Sequence, residues 1–102
     1  MNDDHHGSLL ELYDAILKID TKSEVKAFFT DLCTPAELKA MQERWKVCQF
    51  LDRGDLSYRD IQKATKASLT TIGRVSRFLK EENYYGYRNI LEKIKKGTNE
   101  NT

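Results

Sequence analysis

Residues 57–80 read SYRDIQKATKASLTTIGRVSRFLK, and the spacing within this stretch decides how the rest of the chain is understood. Ser57 followed three positions later by Asp60 is a helix start, because a hydroxyl and an acid at that spacing satisfy orphan backbone N–H groups at a helix N-terminus. The short run behind it carries Tyr58, Ile61 and Ala64, breaks near Thr65 to Ala67, and resumes after a second capping hydroxyl, Ser68. Leu69, Ile72, Val75, Phe78 and Leu79 then line one side of the next helix. Two short helices around a tight break form a helix-turn-helix pattern, with Ile61, Ile72 and Leu79 where the helices must meet. Thr65 and Lys66 stand where the commonest version of the turn has Leu and Gly.

Charge singles out the same stretch. The whole chain carries a formal net charge of only +1, but residues 57–80 hold Arg59, Lys63, Lys66, Arg74, Arg77 and Lys80 against the single acid Asp60, a local +5. Residues 1–33 are acidic at −4, and the flanking windows 34–56 and 81–102 sum to zero. A concentrated basic field attracts a polyanion even when the molecule as a whole is nearly neutral. Thr70, Thr71 and Gly73, expected on the exposed side, are small enough to let the backbone approach phosphates.

Outward from this core, three more capping pairs mark helix starts: Ser8 with Glu11, Thr21 with Glu24, and Thr34 with Glu37. The first two open amphipathic runs through Leu17 and Leu32. The third adds Pro35 at the first helical position and opens a long helix whose apolar set, Leu38, Met41, Trp45, Val47, Cys48, Phe50 and Leu51, is wider than one neighbour requires. Arg53-Gly54-Asp55 stops it. A last helix starts near Tyr84 or Tyr87 and presents Tyr87, Ile90, Leu91 and Ile94, with Lys93, Lys95 and Lys96 near its expected end. No segment alternates with period two, so the chain reads as all-α with six helices: one domain over 8–96, with disordered ends at 1–7 and 97–102.

Composition narrows the function classes. With 102 residues, 39% hydrophobic and 32% charged, the chain has material for one core and no apolar run long enough for a membrane span. Nothing in Met1 to Gly7 resembles an export signal, so a cytoplasmic protein is expected. Cys33 and Cys48 fit no metal-ligand spacing, and His5 and His6 are the only histidines. With no nucleophile–histidine–acid set, metal cluster or glycine-rich phosphate loop to assemble, neither an enzyme nor a metal or cofactor is expected.

Thr34-Pro35-Ala36-Glu37, Arg44, residues 51–61 (LDRGDLSYRDI) and Thr70-Thr71-Ile72-Gly73-Arg74 together resemble the tryptophan repressor superfamily, in its YerC/YecD-type branch, over residues 8–96. The resemblance implies an intertwined homodimer, its shared core built by the first three helices and the last, with two reading heads about one DNA turn (roughly 34 Å) apart on a pseudo-palindromic operator. It implies a transcriptional repressor of double-stranded DNA. Arg59 matches an arginine that contacts guanine, and Leu69, Thr70 and Gly73 match positions facing base edges. Thr71, Arg74 and Arg77 match phosphate contacts, with Ser68 capping the set.

The same resemblance places Thr34, Arg44, Thr71 and Arg74 around a small-molecule corepressor. Val75 and Phe78, however, replace a glycine and a serine of the tryptophan site. A larger side chain and an aromatic ring would fill the space of an indole, so free tryptophan is not expected to bind, and Phe78 or Trp45 could occupy the slot from within. The rival reading is a helical dimerisation or adaptor module whose basic helices bind an acidic protein partner, with Tyr84, Tyr85 and Tyr87 at the interface.

Overall fold

The computed structural model describes residues 8–100, with side chains as far as Gly97. Residues 1–7, including His5 and His6, and residues 101–102 lie outside the described part, and so do the expectations of disorder made for them. Among the described residues there are six helices and no strand: α1 Leu12–Ile16, α2 Lys22–Leu32, α3 Pro35–Arg53, α4 Tyr58–Thr65, α5 Leu69–Lys80 and α6 Gly86–Glu100. They fall into two compact units, divided after Leu38.

In the first unit helices form without a core. Thr21 and Glu24 make the full reciprocal cap of α2, the threonine hydroxyl accepting the Glu24 N–H at 3.1 Å and the Glu24 carboxylate accepting the Thr21 N–H at 3.2 Å. Thr34 and Glu37 do the same at the start of α3, at 3.1 and 2.8 Å. Yet neither α1 nor α2 has a buried residue. The expected start at Ser8 is displaced: α1 begins only at Leu12, capped by the Glu11 backbone without a side-chain bond, and lasts five residues. So short a helix draws little on its own hydrogen bonds.

The second unit is organised around Val47, Cys48, Leu51, Ile61, Ala67, Ile72, Val75, Leu79 and Leu91, with Trp45, Phe50, Leu56 and Tyr87 packed against them. This core takes the C-terminal half of α3, one face each of α4 and α5, the turn between them and one residue of α6. Ile61 and Ile72 are fully buried and Leu79 nearly so, which places all three where the helix-turn-helix spacing required. Gly54 ends α3 as its sequence position suggested, at φ +77°. Asp52 of α3 and Lys95 of α6 form an ion pair at 3.0 Å.

The end of α6 differs from expectation. The helix runs to Glu100 instead of stopping at residue 96, so Lys93, Lys95 and Lys96 sit inside it and its last turn carries no basic residue. Glycine ends a helix when it turns left-handed, and Gly54 is the only described glycine with positive φ. Gly97 continues the helix.

Candidate nucleic-acid interface

The basic stretch is assembled from caps and a turn. Ser57 Oγ accepts the Asp60 N–H at 3.1 Å, and Ser68 Oγ accepts the Thr71 N–H at 3.0 Å, so both helices of the pair begin on a satisfied backbone. Between them Thr65 is buried, and its hydroxyl donates to the Ile61 carbonyl at 2.8 Å while accepting the Ala67 N–H at 3.1 Å. Lys66 takes the left-handed conformation at φ 64°, its N–H returning to the Gln62 carbonyl at 2.8 Å. The two departures from the commonest turn sequence are thereby explained. A bridging hydroxyl takes the place of a buried leucine, and a lysine with an exposed side chain takes the conformation usually given to glycine, at a cost of about 1 kcal/mol.

The predicted reading residues fall on the outside of this frame. Arg59 is exposed in the first turn of α4 and, among the described residues, pairs with no carboxylate. Ser68, Leu69, Thr70 and Gly73 are exposed at the start of α5. Thr71 is half-buried, its hydroxyl accepting a bond from Ser68 Oγ at 3.1 Å. A Cβ added at Gly73 would meet nothing within 4 Å, so no neighbour in the chain requires glycine there. Glycine inside a helix costs up to about 1 kcal/mol relative to alanine, with no internal packing to justify it here. Close approach of something outside the chain supplies a reason.

Arg74 and Arg77 are held over one ring. Their guanidinium carbons lie 4.3 and 5.1 Å from the centre of Phe78, within cation–π range, and Tyr84 stacks on the same phenyl group at 5.9 Å with 15° between the planes. Arg77 also faces Glu82 at 3.6 Å. Beside this cluster is a pocket of ≈ 470 Å³ lined by Arg44, Arg74, Val75, Phe78, Tyr84, Gly86 and Tyr87. Four of the six residues expected around an effector thus converge. Thr71 is not on the wall, and Thr34 belongs to the first unit, where its hydroxyl caps α3. Trp45 does not line the pocket but stacks on Tyr87 at 6.4 Å. Tyr84 and Tyr87 were missed as pocket residues. Their signal was aromatic side chains at the end of α5 and start of α6, which serves packing, a pocket or an interface equally well.

A capped helix, a left-handed turn and a second capped helix with an exposed basic face define a helix-turn-helix protein. The chain belongs to the Trp repressor protein family, whose sequence model matches residues 7–95. It is 34% identical over 92 residues to the uncharacterized protein YerC of Bacillus subtilis, covering 90% of this chain and 86% of that protein. Two solved structures are similar. One is a TrpR-like protein from Eubacterium eligens, with TM-score 0.75 and 37% identity over 81% of this chain and 84% of that one. The other, provisionally assigned as a Trp repressor, is from Staphylococcus aureus, with TM-score 0.78 and 34% identity over 93% and 95%.

Proposed function

We propose that this chain is a sequence-specific regulator of transcription that represses, in the cytoplasm, as a homodimer on a pseudo-palindromic operator. The observation that carries the reading is the exposed first turn of α5. There Leu69, Thr70 and the unneeded Gly73 stand open within a window of net charge +5, on a helix fixed from behind by Ile72, Val75 and Leu79. Arg59 is the residue for guanine, since its planar fork matches O6 and N7. Ser68, Thr71, Arg74 and Arg77 contact phosphate, the two arginines being oriented by the Phe78 ring. Dimerisation is supported by the first unit, where Leu9, Tyr13 and Leu17 are more than 70% exposed and open to a second copy of the chain.

Phe78 also bears on control. Its ring already faces the Arg74 guanidinium, the position an aromatic ligand would take, so the reading heads are held without free tryptophan, while the pocket beside the ring leaves room for a different small corepressor. Titration calorimetry with tryptophan should show no heat of binding, and micromolar affinity would overturn this part of the proposal.

For the main reading the test is duplex binding across a salt series. Affinity should fall log-linearly with salt, and Arg59→Ala should lose about 1–3 kcal/mol of discrimination between preferred and random duplex. A protein that selects no preferred genomic fragment at moderate salt is not a sequence-specific regulator.

A further inference from the structure

The arginines of the helix pair are not equally free. Among the described residues Arg59 and Arg74 pair with no carboxylate, whereas the Arg77 Nε lies 3.6 Å from Glu82 Oε2. The chain turns back at the end of α5 to make this contact. The Glu81 and Glu82 N–H groups both donate to the Arg77 carbonyl, at 2.8 and 3.0 Å, which closes the helix and sets Glu82 beside the guanidinium.

Stability does not account for the carboxylate. Glu82 lies just past the C-terminal end of α5, where the helix dipole disfavours negative charge. The pair is longer than the roughly 2.8 Å of a charge-assisted hydrogen bond, and its side chains are 52% and 38% exposed, so it contributes little to folding. Its effect falls on Arg77 itself. Carboxylate and phosphate oxygens are alternative acceptors for the same guanidinium. Phe78 is uncharged, and its hold on Arg77, 5.1 Å from the ring centre, does not depend on which anion stands alongside. Exchange of one anion for the other therefore needs only a swing of the Glu82 side chain into solvent.

Resting on the DNA-binding reading, we infer that Glu82 is an internal competitor for DNA: its carboxylate occupies Arg77 in the free protein and a backbone phosphate displaces it. Phosphates carry no sequence information, so the competition weakens binding to every duplex alike. Glu82 thus sets affinity, and limits adherence of the +5 window to random DNA, without changing which sequence is chosen.

The experiment uses the full chain. Dissociation constants for a preferred and a random duplex are measured at one moderate salt concentration for the wild type, Glu82→Gln, Arg77→Ala and the double variant. Glu82→Gln should tighten binding to both duplexes about two- to five-fold, the worth of one exposed ion pair. In the Arg77→Ala background most of that gain should vanish, because there is no guanidinium to release. The urea midpoint of Glu82→Gln should be no lower than that of the wild type. An equal gain with and without Arg77 would mean that Glu82 acts only through its charge at a distance. No gain, a gain on one duplex alone, or a lowered midpoint would also overturn the inference, and the DNA-binding reading would stand in each case. If neither duplex is bound by the wild type or by Glu82→Gln, the DNA-binding reading fails and the inference with it.

Discussion

Residues 8–38 and residues 39–100 use the same helix-starting chemistry and differ in what they do with the apolar side chains that follow. In the second region nine residues close into one core, with Val47, Cys48, Ile61 and Ile72 fully buried. In the first, no residue of α1 or α2 is fully buried, although Leu12, Val25 and Leu32 are as apolar as their counterparts and α2 has a full reciprocal cap. Capping is local and needs only a hydroxyl and an acid three residues apart. Burial is not local and needs a surface to close against. The helix-turn-helix can therefore be held by its own region, while the first region leaves its apolar side chains exposed.

The largest test of this contrast is a pair of truncations. Ile72→Ala opens a cavity in a filled core and should lower unfolding free energy by about 2–5 kcal/mol in urea denaturation. Leu17→Ala, at a side chain 80% exposed, should cost within about 0.5 kcal/mol in dilute solution. If the first region docks on a second copy, that small cost should grow as protein concentration rises, because association stabilises the folded chain by mass action. A Leu17 variant as unstable as the Ile72 variant at every concentration would erase the contrast.

How far the sequence disclosed this arrangement follows the same division. Thr21, Thr34, Ser57 and Ser68 announce their helices correctly because each cap is settled within four residues. Ser8 with Glu11 has the same spacing and does not: the helix begins later, at Leu12, and spans only five residues. The polar stretch from Gly97 onward reads as a frayed end, yet the last helix continues through it to Glu100. Arg44, Arg74, Val75 and Phe78 were grouped through the family resemblance. The turn of Tyr84 and Tyr87 into the same pocket depends on the loop between α5 and α6, where Tyr85 adopts φ 60°. No periodicity encodes that.

A smaller effect comes from the buried thiol at the centre of the second region. The Cys48 pKa is pushed up to about 11 by burial and, secondarily, by the Asp52 carboxylate, against an ordinary value of 9.0. Folding thus favours the protonated thiol. The stability tied to it is complete below pH 9 and is lost as pH rises from 9 towards 11, by roughly 2–3 kcal/mol in all. Burial raises the Tyr87 phenol as well, adding a loss of the same sign above its ordinary value of 10.0. Melting temperature followed from pH 8 to 10.5 should decline, and Cys48→Ala should flatten the part of the decline below pH 10. Since α1 and α2 have no buried residue, this decline reports on the second region. An unchanged slope in the variant would mean that the thiol is open to solvent.

The smallest effect lies at the turn that distinguishes the second region from an ordinary helical pair. Lys66 carries a left-handed backbone at φ 64°, in which an L side chain is disfavoured, and its exposed side chain gives no packing in return. Lys66→Gly relieves the backbone but makes the unfolded chain more flexible, so the net gain should be about 0.5 kcal/mol, read as a higher urea midpoint. Lys66→Ala retains the left-handed cost and should leave the midpoint where it is. Both variants delete the same charge and should flatten the salt dependence of DNA binding equally if the lysine faces phosphate. Equal midpoints for the two variants would show that the turn relaxes around residue 66. The turn itself would then be fixed by the Thr65 hydroxyl bridge, with the buried Ile61, Ile72 and Leu79 still holding the two helices together.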